Sequence, residues 1–310
     1  MLWASATCWI GRRVLVTGGS GFLGGALCRH LLELGAQVWA TGLCRLPPEG
    51  VVALRARLPD DAEEVVRMSR PEVVFHLASP ISMDRDPGLY PRLREGILDA
   101  TDAVARACLA QGARLVHVGT CEEYGTCTAP FRESDAPQPV SAYSALKAGA
   151  TAWVLALAQT SGLQATVVRP FRTYGPGDAT SVIAAACRAA LARQPFPMTD
   201  GAQIREWNHV DAITPGLIAA GAHPDAPGQV LNLGGGPRES VRAVVARAFA
   251  LAGADPALVQ VGALPRRAGE VEAFYADTSR AEALWGPLPH VPLDDGLIDT
   301  LDWMVAEGGL

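Results

Sequence analysis

Clusters of basic residues are missing from this sequence. Lysine and arginine total 26 against 32 aspartates and glutamates, a formal net charge of −6 at pH 7, and no basic run supplies the concentrated positive charge that a nucleic-acid backbone requires. Nucleic acid is therefore not an expected partner. Paired cysteine spacing is absent too. The seven cysteines (Cys8, Cys28, Cys44, Cys108, Cys121, Cys127 and Cys187) are odd in number and scattered, which indicates neither a disulfide framework nor a metal-ligand set and suits a reducing cytoplasm. No apolar run is long enough to span a bilayer, and there is no repeat or low-complexity tract. Residues 1–10 are apolar but short, lack a preceding basic region and run straight into a strand, so they read as a frayed or packed N-terminal extension. What remains is a globular composition, 49% apolar, with ample material for a core.

The chain is organised around Val14 to Gly24, V-L-V-T-G-G-S-G-F-L-G. A short apolar, β-branched run breaks into three glycines and then into a helical pattern, giving strand, turn and helix start. In a dinucleotide site Gly18 allows the tight turn, Gly21 lets backbone approach a pyrophosphate, and Gly24 lets the helix pack on the strand. The phosphates would face the free N–H groups and the positive dipole end of that helix. Leu23, Leu27, Leu31 and Leu34 recur at helical spacing before Gly35. A second strand spans residues 37–41, and at its end an NAD site carries an acid for the ribose 2′-hydroxyl. Here the residues are Thr41-Gly42-Leu43-Cys44-Arg45. Without the carboxylate a 2′-phosphate is no longer repelled, and Arg45 is close enough in sequence to pair with one. NADP(H) is thus favoured, with NAD(H) as the alternative if Arg45 is only a solvated loop residue.

Strand and helix continue to alternate. Residues 60–68 read as a helix, 73–78 as a buried strand, 90–111 as a long helix burying Ile97, Thr101, Val104 and Cys108, and 114–118 as a strand. This predicts an α/β fold with a doubly wound parallel sheet. His76, alone in an apolar strand, reads as structural, and no metal site is expected. Val118 to Gly125, V-G-T-C-E-E-Y-G, follows a strand and lies at the edge where such sheets bind ligands. Ser141 is a candidate helix cap, which puts Tyr143 and Lys147 on one helical face. A lysine ammonium beside a phenol favours the phenolate and fits Tyr143 for proton transfer, with Thr120 offering a hydroxyl to the same oxygen.

At this point the chain resembles the extended short-chain dehydrogenase/reductase family, which includes nucleotide-sugar epimerases, dehydratases and ketoreductases. The resemblance rests on T-G-G-S-G-F-L-G at 17–24, H-L-A-S at 76–79, G-T-C-E-E-Y-G at 119–125, Y-S-A-L-K at 143–147, R-P-F-R-T-Y-G-P-G at 169–177, R-E-W-N-H-V-D at 205–211 and R-A-G-E at 267–270. It implies a Rossmann-type sheet with a smaller C-terminal substrate domain. Residues 1–170 would bind the dinucleotide, 206–233 would return to that unit, and 171–310 would mainly bind substrate. Thr120, Tyr143 and Lys147 take the catalytic roles, and Glu122 is a further candidate acid/base. Gly18, Ser20, Gly21, Phe22, Leu23 and Gly24, with Leu77, Ala78, Tyr143, Lys147 and Pro170, would hold the cofactor, joined by Arg45. Ser79, Cys121, Arg172, Arg205 and Arg267 would meet the substrate.

Three positions depart from the family pattern. Arg172 stands where the family has Asn, Arg57 where an acid commonly approaches adenine, and Cys121 where dehydratases carry Asp or Ser. The expected activity is NADP(H)-dependent reduction of a nucleotide-linked 4-keto-6-deoxy sugar, with Tyr143 as general acid. Alternatives are a dehydratase or epimerase that retains its cofactor, and a non-catalytic dinucleotide sensor. Beyond residue 177 helices are expected at 181–193, 211–222, 240–251 and 277–284 and a strand at 230–233. Gly234-Gly235-Gly236 is a turn. The resemblance also implies a homodimer through 90–111 and 142–161, which carry surplus apolar residues including Trp153, Leu155 and Leu157.

Overall fold

The computed structural model describes residues 8–42, 45–82, 84, 86–266 and 270–306. Its strands are β1 (Arg13–Thr17), β2 (Gln37–Gly42), β3 (Val52–Arg55), β4 (Val73–His76), β5 (Arg114–Val118), β6 (Ala165–Pro170), β7 (Thr173–Tyr174), β8 (Phe196–Met198), β9 (Ile204–Glu206), β10 (Asn208–His209), β11 (Val230–Leu233), β12 (Arg238–Ser240), β13 (Val259–Val261) and β14 (Ala273–Phe274). The α-helices are α1 (Phe22–Glu33), α2 (Ala62–Ser69), α3 (Tyr90–Arg94), α4 (Ala100–Gln111), α5 (Ala142–Ser161), α6 (Val182–Leu191), α7 (Val210–Ala222), α8 (Val241–Leu251), α9 (Ser279–Trp285) and α10 (Leu293–Ala306). None of the described helices is long and apolar enough to cross a membrane.

Seven strands form one parallel sheet in the order β3-β2-β1-β4-β5-β6-β11. The period of two along each strand sends alternate residues to opposite faces. Val14, Val16, Val73, Phe75 and Val116 pack with Leu27 and Leu31 of α1 and with Ile213 and Leu217 of α7. Leu15, Val74 and Leu115 pack on the other face with Val66, Val104 and Val154 of α2, α4 and α5. Both faces are covered, as a parallel sheet requires. The chain runs outward from β1 to β3, then returns to β4 and runs the other way. That reversal opens a crevice at the carboxyl ends of β1 and β4.

The stretch from 206 to 233 contributes α7 and β11 to this layered unit, and α9 packs Ala281 and Trp285 into the same core. A second core gathers Ile183 and Cys187 of α6, Val244 and Phe249 of α8, and Leu297 and Leu301 of α10. The expected 90–111 helix is continuous but widens into a π-turn at Glu95–Asp99 between α3 and α4. Trp9 is fully buried beside Phe75, so this part of the N-terminal extension is packed, whereas residues 1–7 lie outside the described residues. Of the apolar residues proposed for a dimer face, Leu157 is buried, and Trp153 donates its indole N–H to Asp102 at 2.7 Å. Those two side chains serve contacts within one chain.

Candidate active site

The glycine turn sits at the crevice. Gly18 has φ +74, in the left-handed region, and a Cβ there would meet the Ala78 backbone at 2.9 Å. At Gly24 a Cβ would lie 2.2 Å from the Gly18 carbonyl oxygen, so α1 can approach β1 only with glycine at that point. Gly21 caps α1 in an extended conformation without a side-chain cap. The N–H groups of the first turn therefore face the crevice as donors for an anion.

A cleft of about 650 Å³ opens there. Gly18, Ser20, Gly21, Phe22, Leu23, Gly24, Leu77, Ala78, Ser79, Thr120, Tyr143, Lys147 and Pro170 all line it. Arg45 does not. It borders an adjoining hollow with Gly42, Leu46 and Pro47, and Gly42 also lines the main cleft, so the two spaces meet at the end of β2. Sequence reasoning did not pick out Arg92 and Glu95 as lining residues, which the π-turn region brings to the cleft wall. Arg57 also lines the cleft, and its Nη2 donates to Glu95 Oε1 at 3.1 Å. The lining thus carries three basic side chains, Arg57, Arg92 and Lys147, against one acid, Glu95, a balance that suits a bound diphosphate. Shape, glycine approach and charge together fit a dinucleotide.

Helix α5 positions the catalytic candidates. Ser141 caps it through the Ser144 N–H, and the Ser144 hydroxyl accepts in return from the Ser141 N–H. Tyr143 and Lys147 then project from one face, both buried. Lys147 Nζ donates to the carbonyl of Val118, the last residue of β5, at 2.9 Å. Burial depresses the lysine to about 8, and Glu123 partly offsets this. The expected acidification of Tyr143 is not what this geometry produces. Burial raises the phenol above its ordinary value, a hydrogen bond with Thr120 pulls it back, and Cys121, Glu122 and Glu123 raise it further. Desolvation dominates the tyrosine's shift, while the lysine ammonium is turned toward the Val118 carbonyl.

Thr120 starts a short 3₁₀ turn, Cys121–Tyr124, and its hydroxyl accepts from the Glu122 N–H at 3.2 Å. Glu123 reaches back to accept from the Thr120 N–H at 2.9 Å. Its other carboxylate oxygen accepts from Arg169 Nε at 3.0 Å and lies 2.8 Å from Nη2. Arg169 also lies over the Tyr124 ring, 4.6 Å from its centroid. This buried pair beneath the candidate turn is not evident from the sequence, which singles out Glu122. Glu122 instead is partly exposed, with an oxygen 4.0 Å from Arg172 Nη2. Cys121 is buried, and desolvation pushes its thiol well above the ordinary range, so it stays protonated.

Arg205 on β9 is buried, with Nη2 3.1 Å from Glu270 Oε1 and Nη1 donating to the Ile204 carbonyl at 2.8 Å. Arg172 lies between β6 and β7, close enough to Arg205 for the two charges to repel. Arg267 lies outside the described residues. His76 is structural, as expected: its ring nitrogens lie 2.7 Å from Thr17 Oγ1 and 3.2 Å from Thr101 Oγ1, and burial pushes it down to about 3. The Gly234–Gly236 turn is clamped by Asn208, which accepts from the Gly236 N–H at 2.9 Å.

Against known proteins, residues 14–234 match the profile of the NAD dependent epimerase/dehydratase family. A dTDP-glucose 4,6-dehydratase of Streptomyces griseus is 31% identical over 311 residues, covering 94% of this chain and 93% of that protein. A UDP-glucose 4-epimerase of Mycolicibacterium smegmatis is also 31% identical, over 319 residues, covering 94% and 98%. Among solved structures, MoeE5 in complex with UDP-glucuronic acid and NAD superposes with a TM-score of 0.86 at 29% identity, covering 95% of this chain and 99% of that one.

Proposed function

The chain belongs to the NAD dependent epimerase/dehydratase family, and from that premise we propose that it inverts C4 of a nucleotide-linked sugar and keeps its cofactor through each turnover. One observation carries the choice: Thr120, Tyr143 and Lys147 line the same cleft as the glycine turn, beside a cysteine held neutral by burial. A dehydratase needs an acid for the C6 hydroxyl at that cysteine's place, and a buried, protonated thiol is a poor one. Epimerisation needs no such group. This reading takes up the alternative of the sequence analysis in preference to net reduction of a 4-keto-6-deoxy sugar, since the relatives are named as an epimerase and a dehydratase. The intact catalytic set disfavours a silent sensor.

When bound, a nicotinamide dinucleotide supplies the hydride acceptor and, for the return step, the donor. Gly18, Gly21, Gly24 and the first turn of α1 would hold its diphosphate, and Lys147 its ribose. Tyr143 takes the C4 hydroxyl proton and gives it back, and Thr120 holds the same oxygen in place. Lys147 must stay protonated for the phenolate to be accessible, and its depressed value of about 8 leaves it mostly charged at neutral pH. Because the end of β2 carries no acid and adjoins Arg45, we also propose that NADP(H) is accepted beside NAD(H).

The test is cofactor balance. With UDP-glucose or dTDP-glucose, the expected result is C4 inversion by NMR without net change in cofactor absorbance, and a fall of about a hundredfold or more for Tyr143→Phe. Stoichiometric NADPH loss on a 4-keto sugar would move the assignment to a reductase. Loss of the C6 oxygen would move it to a dehydratase.

A further inference from the structure

We propose that Glu95 reads the base of the bound dinucleotide, accepting from the exocyclic amino group of adenine, with Arg57 holding its carboxylate in place; the inference rests on the dinucleotide reading of the cleft. The lining fixes which end takes the base. Thr120, Tyr143 and Lys147 line the cleft where β5 ends, the glycine turn lines it beyond β1, and Thr41, Gly42 and Arg57 line it past the ends of β2 and β3. A nicotinamide ring beside Tyr143 and a diphosphate over the glycine turn leave that last end for adenosine. The amino group of adenine is a donor and needs an acceptor. On the β2–β3 wall no carboxylate meets it, and the charged side chain there, Arg57, only donates.

The facing wall supplies the carboxylate. Among the described residues Glu95 is the single acid lining the cleft, and three features bring it there. It begins the π-turn of Glu95–Asp99, a distortion of the kind that recurs at functional sites. Leu93 and Ile97, on either side of it, are buried against Tyr143 and Leu146 and anchor the helix. Gly96 lets the turn close on the loop after β4, since a Cβ there would lie 2.8 Å from the Pro80 ring. Pro80, Ile81 and Leu58 line the same space and offer apolar surface to the faces of a base. Arg57 Nη2 donates to Glu95 Oε1 at 3.1 Å and joins the two walls. A carboxylate has about four acceptor positions, and this bond uses one. Both side chains are largely exposed, so the pair adds little to stability and is free to serve the ligand.

Nicotinamide hypoxanthine dinucleotide carries a carbonyl oxygen in place of the amino group of NAD, which turns the donor into an acceptor at the same position. The purified protein is incubated to equilibrium with an equal excess of both, desalted and denatured, and the retained dinucleotides are quantified by chromatography. NAD should be retained at least about tenfold over the analogue, as suits a hydrogen bond to a charged acceptor. Glu95→Ala should reduce the ratio to about threefold or less, because the acceptor is gone and the donors of Arg57 then face the base. Glu95→Gln should do the same, since its amide can donate to the carbonyl oxygen, and it keeps the length of the side chain should the alanine variant fail to fold. Arg57→Met should leave the ratio above about threefold, because the carboxylate remains. Equal retention by the unmutated protein, a tenfold ratio that survives in both Glu95 variants, or a ratio abolished by Arg57→Met alone overturns the inference while leaving the cofactor site intact. Retention of neither dinucleotide overturns the dinucleotide reading of the cleft as well.

Discussion

Replacing Glu123 by glutamine should destabilise the protein by roughly 3–5 kcal/mol, although the residue touches neither cleft nor solvent. Its side chain is 0% exposed, that of Arg169 is 4%, and the ions are 2.8 Å apart. At an effective dielectric near 20 this attraction is about 6 kcal/mol, against a desolvation penalty of several kcal/mol for each ion. The intact pair is therefore close to neutral overall, whereas a buried Arg169 without its partner pays its penalty unopposed. Glutamine keeps the length, and its Oε1 can still accept from the Thr120 N–H that Glu123 now holds at 2.9 Å, so the change isolates charge from shape. At ~2 °C per kcal/mol for a chain of this size, the midpoint should fall by about 6–10 °C. Urea denaturation and calorimetry would measure both quantities. The double variant Glu123→Leu, Arg169→Met should recover most of the loss, because an apolar pair of similar volume commonly replaces a buried ion pair at little cost. A Glu123→Gln protein within about 1 kcal/mol of the unmutated one, or a double variant as unstable as the two single ones summed, would refute this account.

Cofactor choice turns on Arg45: the affinity for NADP should lie within about tenfold of that for NAD, and Arg45→Ala should weaken NADP by about 1–3 kcal/mol while sparing NAD, with titration calorimetry deciding it. No detectable NADP binding by the unmutated protein would contradict this. Lys147 predicts a pH dependence. Its folded value of about 8 lies below its ordinary 10.5, so between those pH values the unfolded chain holds the extra proton and stability rises with pH. The penalty of burying the charged lysine, ~3 kcal/mol, is full below pH 8 and relieved by about 10.5. The stability advantage of Lys147→Met over the unmutated, cofactor-free protein should shrink through that window, and a constant difference would refute it.

Periodicity made the layered fold legible, since strands such as Val73–His76 are buried on both faces and helix α1 buries Leu27 and Leu31 at helical spacing. Strand β3 was missed because it is a sheet edge: Val52, Ala53 and Arg55 are exposed, so its pattern resembles a loop. Strand β6 was missed for another reason, the run A-T-V-V-R-P ending in a charge that normally argues against burial. That arginine, Arg169, is buried only because Glu123 meets it from 46 residues away. No local spacing encodes such a pair. The same limit explains the glutamates of C-E-E-Y, where the sequence favoured Glu122 and the 3₁₀ turn sends Glu123 inward as the third residue of a capping box. For Tyr143 and Lys147 the shared face was readable, but the direction of the tyrosine's shift was not, because burial depends on what packs over the helix.

Glu123 joins three parts of the site that the sequence presents separately. It accepts from the Thr120 N–H and so fixes the turn that presents the threonine hydroxyl. It neutralises Arg169, which supports Tyr124 from one side while Asn232 accepts from the Tyr124 hydroxyl at 2.7 Å. It also raises Lys147 against the desolvation that lowers it. A protonated lysine favours the phenolate form of Tyr143, yet Glu123 itself raises the tyrosine. The carboxylate therefore acts on the two candidate residues in opposite senses for proton removal, favouring the charged lysine while favouring the protonated tyrosine. The balance favours a neutral phenol at Tyr143, and under the proposed function that form is the one that donates a proton to the C4 oxygen. The Glu123 carboxylate thus ties the scaffold to the candidate site, accepting from the Thr120 N–H, pairing with Arg169 and favouring the charged form of Lys147 against its desolvation.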